Sequence, residues 1–102
     1  MTIKEVSEKY NIFQDTLRYY ERVGMIPQVH RTGSGIRDYQ EDDLGWVELA
    51  ICMRSAGLPV EVMIEYVRLY MQGDSTIPDR LQLLLDQKAA LEAQMADTQR
   101  ML

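Results

Sequence analysis

In five separate stretches the apolar residues of this chain recur three and four apart, the spacing of one face of a helix. The first stretch holds Ile3, Val6 and Tyr10. Thr2-Ile3-Lys4-Glu5 before it has the form of a capping box, with Glu5 reaching back to the Thr2 amide. Asn11 tolerates left-handed geometry and marks a turn. A second helix, about 14–23, carries Leu17, Tyr20 and Val23 on its apolar side, and Gly24 and Pro27 stop it. Two short helices joined so tightly read as helix-turn-helix.

The helical period then lapses. Residues 29–39 set Val29, Arg31, Ile36, Arg37 and Tyr39 around Thr32-Gly33-Ser34-Gly35, which predicts a small β-hairpin, a wing; an irregular loop is the alternative. Helical spacing resumes over about 41–57. There Glu41-Asp42-Asp43 complements the positive helix end, and Trp46, Leu49/Ala50, Met53 and Ala56 form the apolar face. A fourth helix, about 60–72, has the stripe Val60, Met63/Ile64, Val67 and Tyr70/Met71.

Thr76-Ile77-Pro78-Asp79 has the form of a capped start for the last segment. Within it Ile77, Leu81, Leu84, Lys88, Leu91, Met95, Thr98 and Leu102 keep heptad spacing to the final residue. A domain this small offers one such helix no obvious place to bury its row. We therefore expect a dimerising coiled coil with Leu81, Leu84, Lys88, Leu91 and Met95 at its seam; a helix packed across its own domain is the alternative. The expected fold is mainly α. It consists of a winged helix-turn-helix DNA-binding domain over 1–73 and a C-terminal dimerising coiled-coil helix over 74–102.

Charge sharpens this picture. The net charge of −5 argues against a nucleic-acid binder, but it is unevenly spread. Residues 1–40 hold six cations and five anions, a net +1, whereas 41–102 hold five cations and eleven anions, a net −6. Phosphate binding needs a local basic face rather than a basic protein. The second helix supplies one, since Thr16, Arg18, Tyr19 and Arg22 lie opposite its apolar side and can donate to phosphates and base edges. In the wing, Arg31 and Arg37 flank glycines that allow close approach to a phosphate.

Other chemistry is sparse. One cysteine excludes an intrachain disulfide and a cysteine-cluster metal site, and one histidine, His30, weakens zinc and general-base chemistry. We expect no metal, no cofactor and no enzyme activity. No apolar run reaches membrane-spanning length and no signal peptide is evident, so a cytoplasmic protein with no membrane partner is expected. Cys52, on the third helix, reads either as a small buried hydrophobe or as a reactive thiol, the latter wanting nearby positive charge.

Several motifs in order resemble the MerR family of bacterial transcription regulators. They are Asp15-Thr16-Leu17-Arg18-Tyr19-Tyr20-Glu21, Gly24-Met25-Ile26, Gly35-Ile36-Arg37-Asp38-Tyr39, Asp42-Asp43-Leu44 and Arg54-Ser55-Ala56-Gly57. The resemblance spans essentially the whole chain. It implies that Thr16, Arg18 and Tyr19 meet bases and phosphates, while Arg37, braced by Tyr39, clamps the backbone from the wing with Arg31 beside it. Tyr20 is assigned to packing by its place on the apolar stripe.

Two positions depart from the family pattern. Phe13 and Gln40 stand where hydroxyl caps are usual, and an aromatic cannot satisfy free helix amides, at a cost of up to about 1 kcal/mol.

The resemblance further implies a homodimer on double-stranded promoter DNA that distorts an overlong spacer for bacterial RNA polymerase. The chain ends within the terminal helix, so we expect no separate drug-binding domain. No cysteine lies in that region, which disfavours metal sensing. A lone cysteine before an Arg-Ser-Ala-Gly corner is similar to the aldehyde- and thiol-stress group, which makes Cys52 the candidate thiol sensor. An accessory DNA-architecture protein of excisionase type is the competing class, and the terminal heptads argue against it.

Overall fold

The computed structural model describes residues 1–102. Its elements are α1 (Ile3–Tyr10), α2 (Gln14–Val23), α3 (Glu41–Ser55), α4 (Val60–Met71), a 3₁₀ turn (Asp74–Thr76) and α5 (Ile77–Met101).

Local chemistry accounts for most of the boundaries. The Thr2 hydroxyl accepts from the Glu5 amide at 3.1 Å and the Glu5 carboxylate accepts from the Thr2 amide at 2.8 Å, closing the expected capping box. Asn11 ends α1 in the left-handed region at φ 52°. Gly24 ends α2 at φ 88°, its N–H donating to the Tyr20 and Glu21 carbonyls. Phe13 precedes α2 with no side-chain bond to the helix amides. The Gln40 amide group turns to Asp38 at 2.8 Å, and the Asp43 carboxylate accepts from the Gln40 N–H at 2.8 Å, so α3 gains its bond from within the acidic run.

α1, α2, the segment between α2 and α3, α3 and the start of α4 close around one core. Val6, Leu17, Met25, Val47 and Ala50 are wholly buried, and Tyr20, Ile26, Val29, Tyr39 and Met63 nearly so. Burying an aliphatic side chain of this size contributes about 1.5–3 kcal/mol. Leu17 and Tyr20, one turn apart, are the buried residues of α2, and Val23 packs partly against the same core.

The face of α3 differs from the expected one. Asp43, Val47 and Ala50 are its buried residues, Trp46, Leu49 and Met53 are only partly buried, and Ala56 is exposed at the C-cap. The physical reason is two-sided packing. One side of α3 meets the core, and the other meets α4, where the Trp46 ring lies edge-on to Tyr70 at 4.9 Å and to Tyr66 at 6.2 Å. α3 also stops at Ser55, two residues before Gly57, which takes φ 89°. In α4, Leu69 is buried with Met63 and Val67, while Tyr70 and Met71 are exposed.

The wing is smaller than a hairpin. A single antiparallel bridge joins Arg31 to Arg37, and no strand forms. The Thr32 amide donates to Ile36 O at 2.8 Å and the Asp38 amide to His30 O at 2.7 Å. The ladder goes no further because its next amides are engaged elsewhere. Those of Val29 and His30 donate to carboxylates on α2 and α3, and that of Tyr39 donates to Met1 O.

Thr76 stands at the N-cap of α5 as expected, but its side chain makes no bond to the helix amides. Its buried hydroxyl sits 2.7 Å from the Leu69 and Gly73 carbonyls, tying the 3₁₀ turn back to the end of α4. α5 then runs 25 residues without one buried side chain. No helix is long and apolar enough to cross a membrane.

Candidate nucleic-acid interface

α2 is amphipathic by placement. With Leu17 and Tyr20 in the core, Arg18, Tyr19 and Arg22 are left exposed and Thr16 partly so. Arg18 Nη1 lies 2.9 Å from Asp15 and its Nη2 3.3 Å from Gln14. An exposed pair of this kind is worth little and yields readily to a phosphate. The Arg22 guanidinium sits 5.5 Å from the centre of the Tyr19 ring, stiffening two long side chains that face solvent.

The wing arginines are held by a residue that sequence reasoning passed over. Glu21, on α2, has its carboxylate almost buried, at 7% exposure. It accepts from Arg37 Nε at 2.7 Å and from the Val29 amide at 2.9 Å, and it lies 3.6 Å from Arg31 Nη2. Arg31 and Arg37 keep 43% and 24% of their side chains exposed, so both still face solvent from this anchor. The available signal was an acid placed between cations at the end of the helix.

Asp43 is a second anchor, counted from sequence only as part of a dipole-complementing run. It is 5% exposed and accepts from the amides of Gln40 and His30 and from His30 Nδ1 at 2.8 Å. The hydrogen bond to Asp43 and that residue's charge, assisted by Asp42 and Asp38, push the His30 pKa up. Consecutive amides, Val29 and His30, are thus pinned to carboxylates on two different helices.

Tyr39 is not at the surface. It is 2% exposed, burial pushes its pKa up, and its hydroxyl is buried without a hydrogen-bond partner. From there it can brace the wing from below but cannot touch a phosphate. This corrects its place among the contact candidates. Cys52 is exposed on α3, which removes its reading as a buried hydrophobe in the single chain. His30, Asp42 and Asp43 lie close together, but His30 and Asp43 are engaged in the wing–α3 hydrogen bonds just described, and Asp42 is an exposed acid 3.9 Å from His30 Nδ1.

Along α5, Leu81 and Met95 are about half exposed (56% and 58%), Leu84 and Leu91 are partly buried, and Lys88 is exposed. Between α5 and the end of α3 runs an open groove of about 430 Å³, lined by Met53, Ala56, Leu58, Leu84, Leu91 and Met95 among others.

A tight helix pair, a short arginine-bearing wing beside its second helix and a long terminal helix define a winged helix-turn-helix of the nucleic-acid-binding class. Residues 1–70 match the family described as "MerR HTH family regulatory protein" and residues 44–102 the one described as "MerR, DNA binding". The chain belongs to the MerR family of transcription regulators, whose members here are regulators and not enzymes.

Among relatives, the HTH-type transcriptional regulator AdhR of Bacillus subtilis is 48% identical over 91 residues, 89% of this chain and 65% of its own length. An HTH-type transcriptional regulator of Haemophilus influenzae is 32% identical over 101 residues, 99% of this chain and 75% of its own. Two solved structures align closely. One is described as a MerR family regulator from Listeria monocytogenes (TM-score 0.93, 41% identity, 98% of this chain and 76% of that one). The other is HiNmlR, a MerR family regulator lacking the sensor domain, bound to promoter DNA (TM-score 0.85, 31% identity, 97% and 79%).

Proposed function

We propose that this chain regulates transcription as a homodimer on double-stranded promoter DNA, working in the cytoplasm. The observation that carries this reading is the pairing of two unlike surfaces: a cationic front on α2 and the wing, and an uncovered apolar row on α5. Residues 1–73 form the DNA-binding unit and 74–102 the dimer helix. Thr16, Arg18 and Tyr19 enter the major groove, since the first turns of a recognition helix are what reach base edges. Arg37 and Arg31 meet the flanking phosphates. That the similar regulator HiNmlR is bound to promoter DNA supports DNA as the partner of this face.

Leu81, Leu84, Leu91 and Met95, with Lys88 as a polar break that fixes register, pack against a second copy. Two recognition helices related by the resulting dyad would read a pseudo-palindromic site. Binding offsets a DNA deformation cost of a few kcal/mol and brings the promoter elements into line for RNA polymerase. The exposed Cys52 thiol is the point at which an electrophile would bias one dimer conformation over another.

In vitro transcription from the gene's own upstream promoter tests the whole reading, using wild type and Cys52→Ser with and without a reactive aldehyde. The expected result is induction by aldehyde in wild type alone. Equal response of the two proteins removes Cys52 from signalling, and no effect of either on transcription removes the activator role.

A further inference from the structure

Glu21 is an acid at the heart of a surface built to meet phosphate, where its charge opposes the expected partner. A carboxylate at 7% exposure is tolerated only when it is well satisfied, and this one accepts from the Arg37 guanidinium and the Val29 amide with Arg31 alongside. Both donors and the Arg31 ion-pair partner belong to the wing, and Glu21 belongs to the recognition helix. The wing has almost no structure of its own to set its angle, only one bridge pair. The α2 side of its base therefore depends on this carboxylate.

We infer that Glu21 is a positioning residue for sequence specificity: it holds the wing arginines against the recognition helix so that they reach phosphates fully only when that helix is seated on its site. This inference rests on the promoter-binding reading. Its physical content is restraint. A free guanidinium on a mobile wing finds a phosphate on any duplex, whereas one fixed to α2 finds it only in the register α2 dictates. Base-independent contacts raise all affinities together, and specificity is the difference between them.

The test compares wild type, Glu21→Gln and Glu21→Asp on two probes. One is the duplex that wild-type protein enriches from a randomised pool, and the other is a random-sequence duplex. Gln keeps an acceptor but frees the arginines from the charge. It should hold or raise affinity for random duplex, steepen the salt dependence by about one phosphate's worth, and lower the selected-to-random ratio by about tenfold. Asp keeps the charge but is one methylene too short to reach the same donors; it should lower the ratio with the salt dependence unchanged.

Parallel weakening on both probes, with ratio and salt slope intact, makes Glu21 a packing anchor and overturns the proposal. So does failure of both variants to fold by circular dichroism. A wild-type ratio in Glu21→Asp leaves net charge as the whole effect and overturns the positioning role. If wild type itself enriches no sequence, the promoter-binding reading falls first. If it does and Glu21→Gln keeps the ratio, this inference alone falls.

Discussion

The front of α2 with its wing and the seam of α5 are the two surfaces on which this chain would meet partners, and they are prepared in opposite ways. On the first, every functional charge already has an internal partner: Arg18 with Asp15, Arg37 and Arg31 with Glu21, Arg22 over Tyr19. Burial beneath it is complete, from Leu17 to Tyr39. On the second, no residue of the 25-residue helix is fully buried, and Ile77, Leu81, Leu85 and Met95 stand about half or more exposed. A polar surface that must accept and release a charged partner is best held in shape beforehand, because ordering costs fall on each binding event. An apolar row left uncovered makes sense only if its cover is permanent.

The sharpest way to break that comparison is to charge the α5 row. Leu84→Asp with Leu91→Asp should abolish the dimer, read by sedimentation, while leaving the helical content of residues 1–73 intact. A dimer that persists would place the interface elsewhere. Leu17→Ala attacks the other region through its core. It should cost about 2–5 kcal/mol of stability by chemical denaturation, since it empties a fully buried site beneath α2.

Smaller effects separate the roles within the wing. Arg37→Ala should weaken binding most on the duplex the wild-type protein selects, reducing the salt slope there by about one unit, with a smaller loss on random duplex. An unchanged slope would mean that Glu21 keeps this guanidinium from phosphate altogether. Tyr39→Phe removes a buried hydroxyl with no partner. Stability should hold or rise by up to about 1 kcal/mol with DNA affinity unchanged, whereas lost affinity would return Tyr39 to the contact surface.

The smallest effect is on pH. Asp43 raises the His30 pKa in the folded chain, so the pair's contribution is full below the unfolded value of about 6.5. It is lost as pH rises through the raised one. Thermal melts of wild type against His30→Ala should diverge at acid pH and converge at alkaline pH. A gap that grows with pH would reverse the assignment.

Legibility in the sequence followed the range of the interaction. Features decided within one helical turn could be read directly: the Thr2–Glu5 box, Asn11 and Gly24 as stops, the missing cap at Phe13, and Leu17 and Tyr20 as core. Features decided across the fold could not. Glu21 and Asp43 look like ordinary surface acids until the wing folds over them, sixteen residues from Arg37 to Glu21 and thirteen from His30 to Asp43. The hairpin was overestimated for the same reason, because its amides are captured by those two carboxylates. α3 misled because it packs on two sides, which blurs the single stripe that periodicity assumes. Tyr39 sits beside an arginine in sequence but beneath it in space.

If the two surfaces work together, the α5 helices of two copies pair and set two α2–wing fronts on a single duplex. Hydroxyl-radical footprinting on the duplex enriched by the wild-type protein tests this most directly. The expected pattern is two equivalent protected patches related by a dyad, both lost in the Leu84→Asp, Leu91→Asp protein at concentrations where wild type protects fully. A single patch, or two patches that survive the charged seam, would contradict the account.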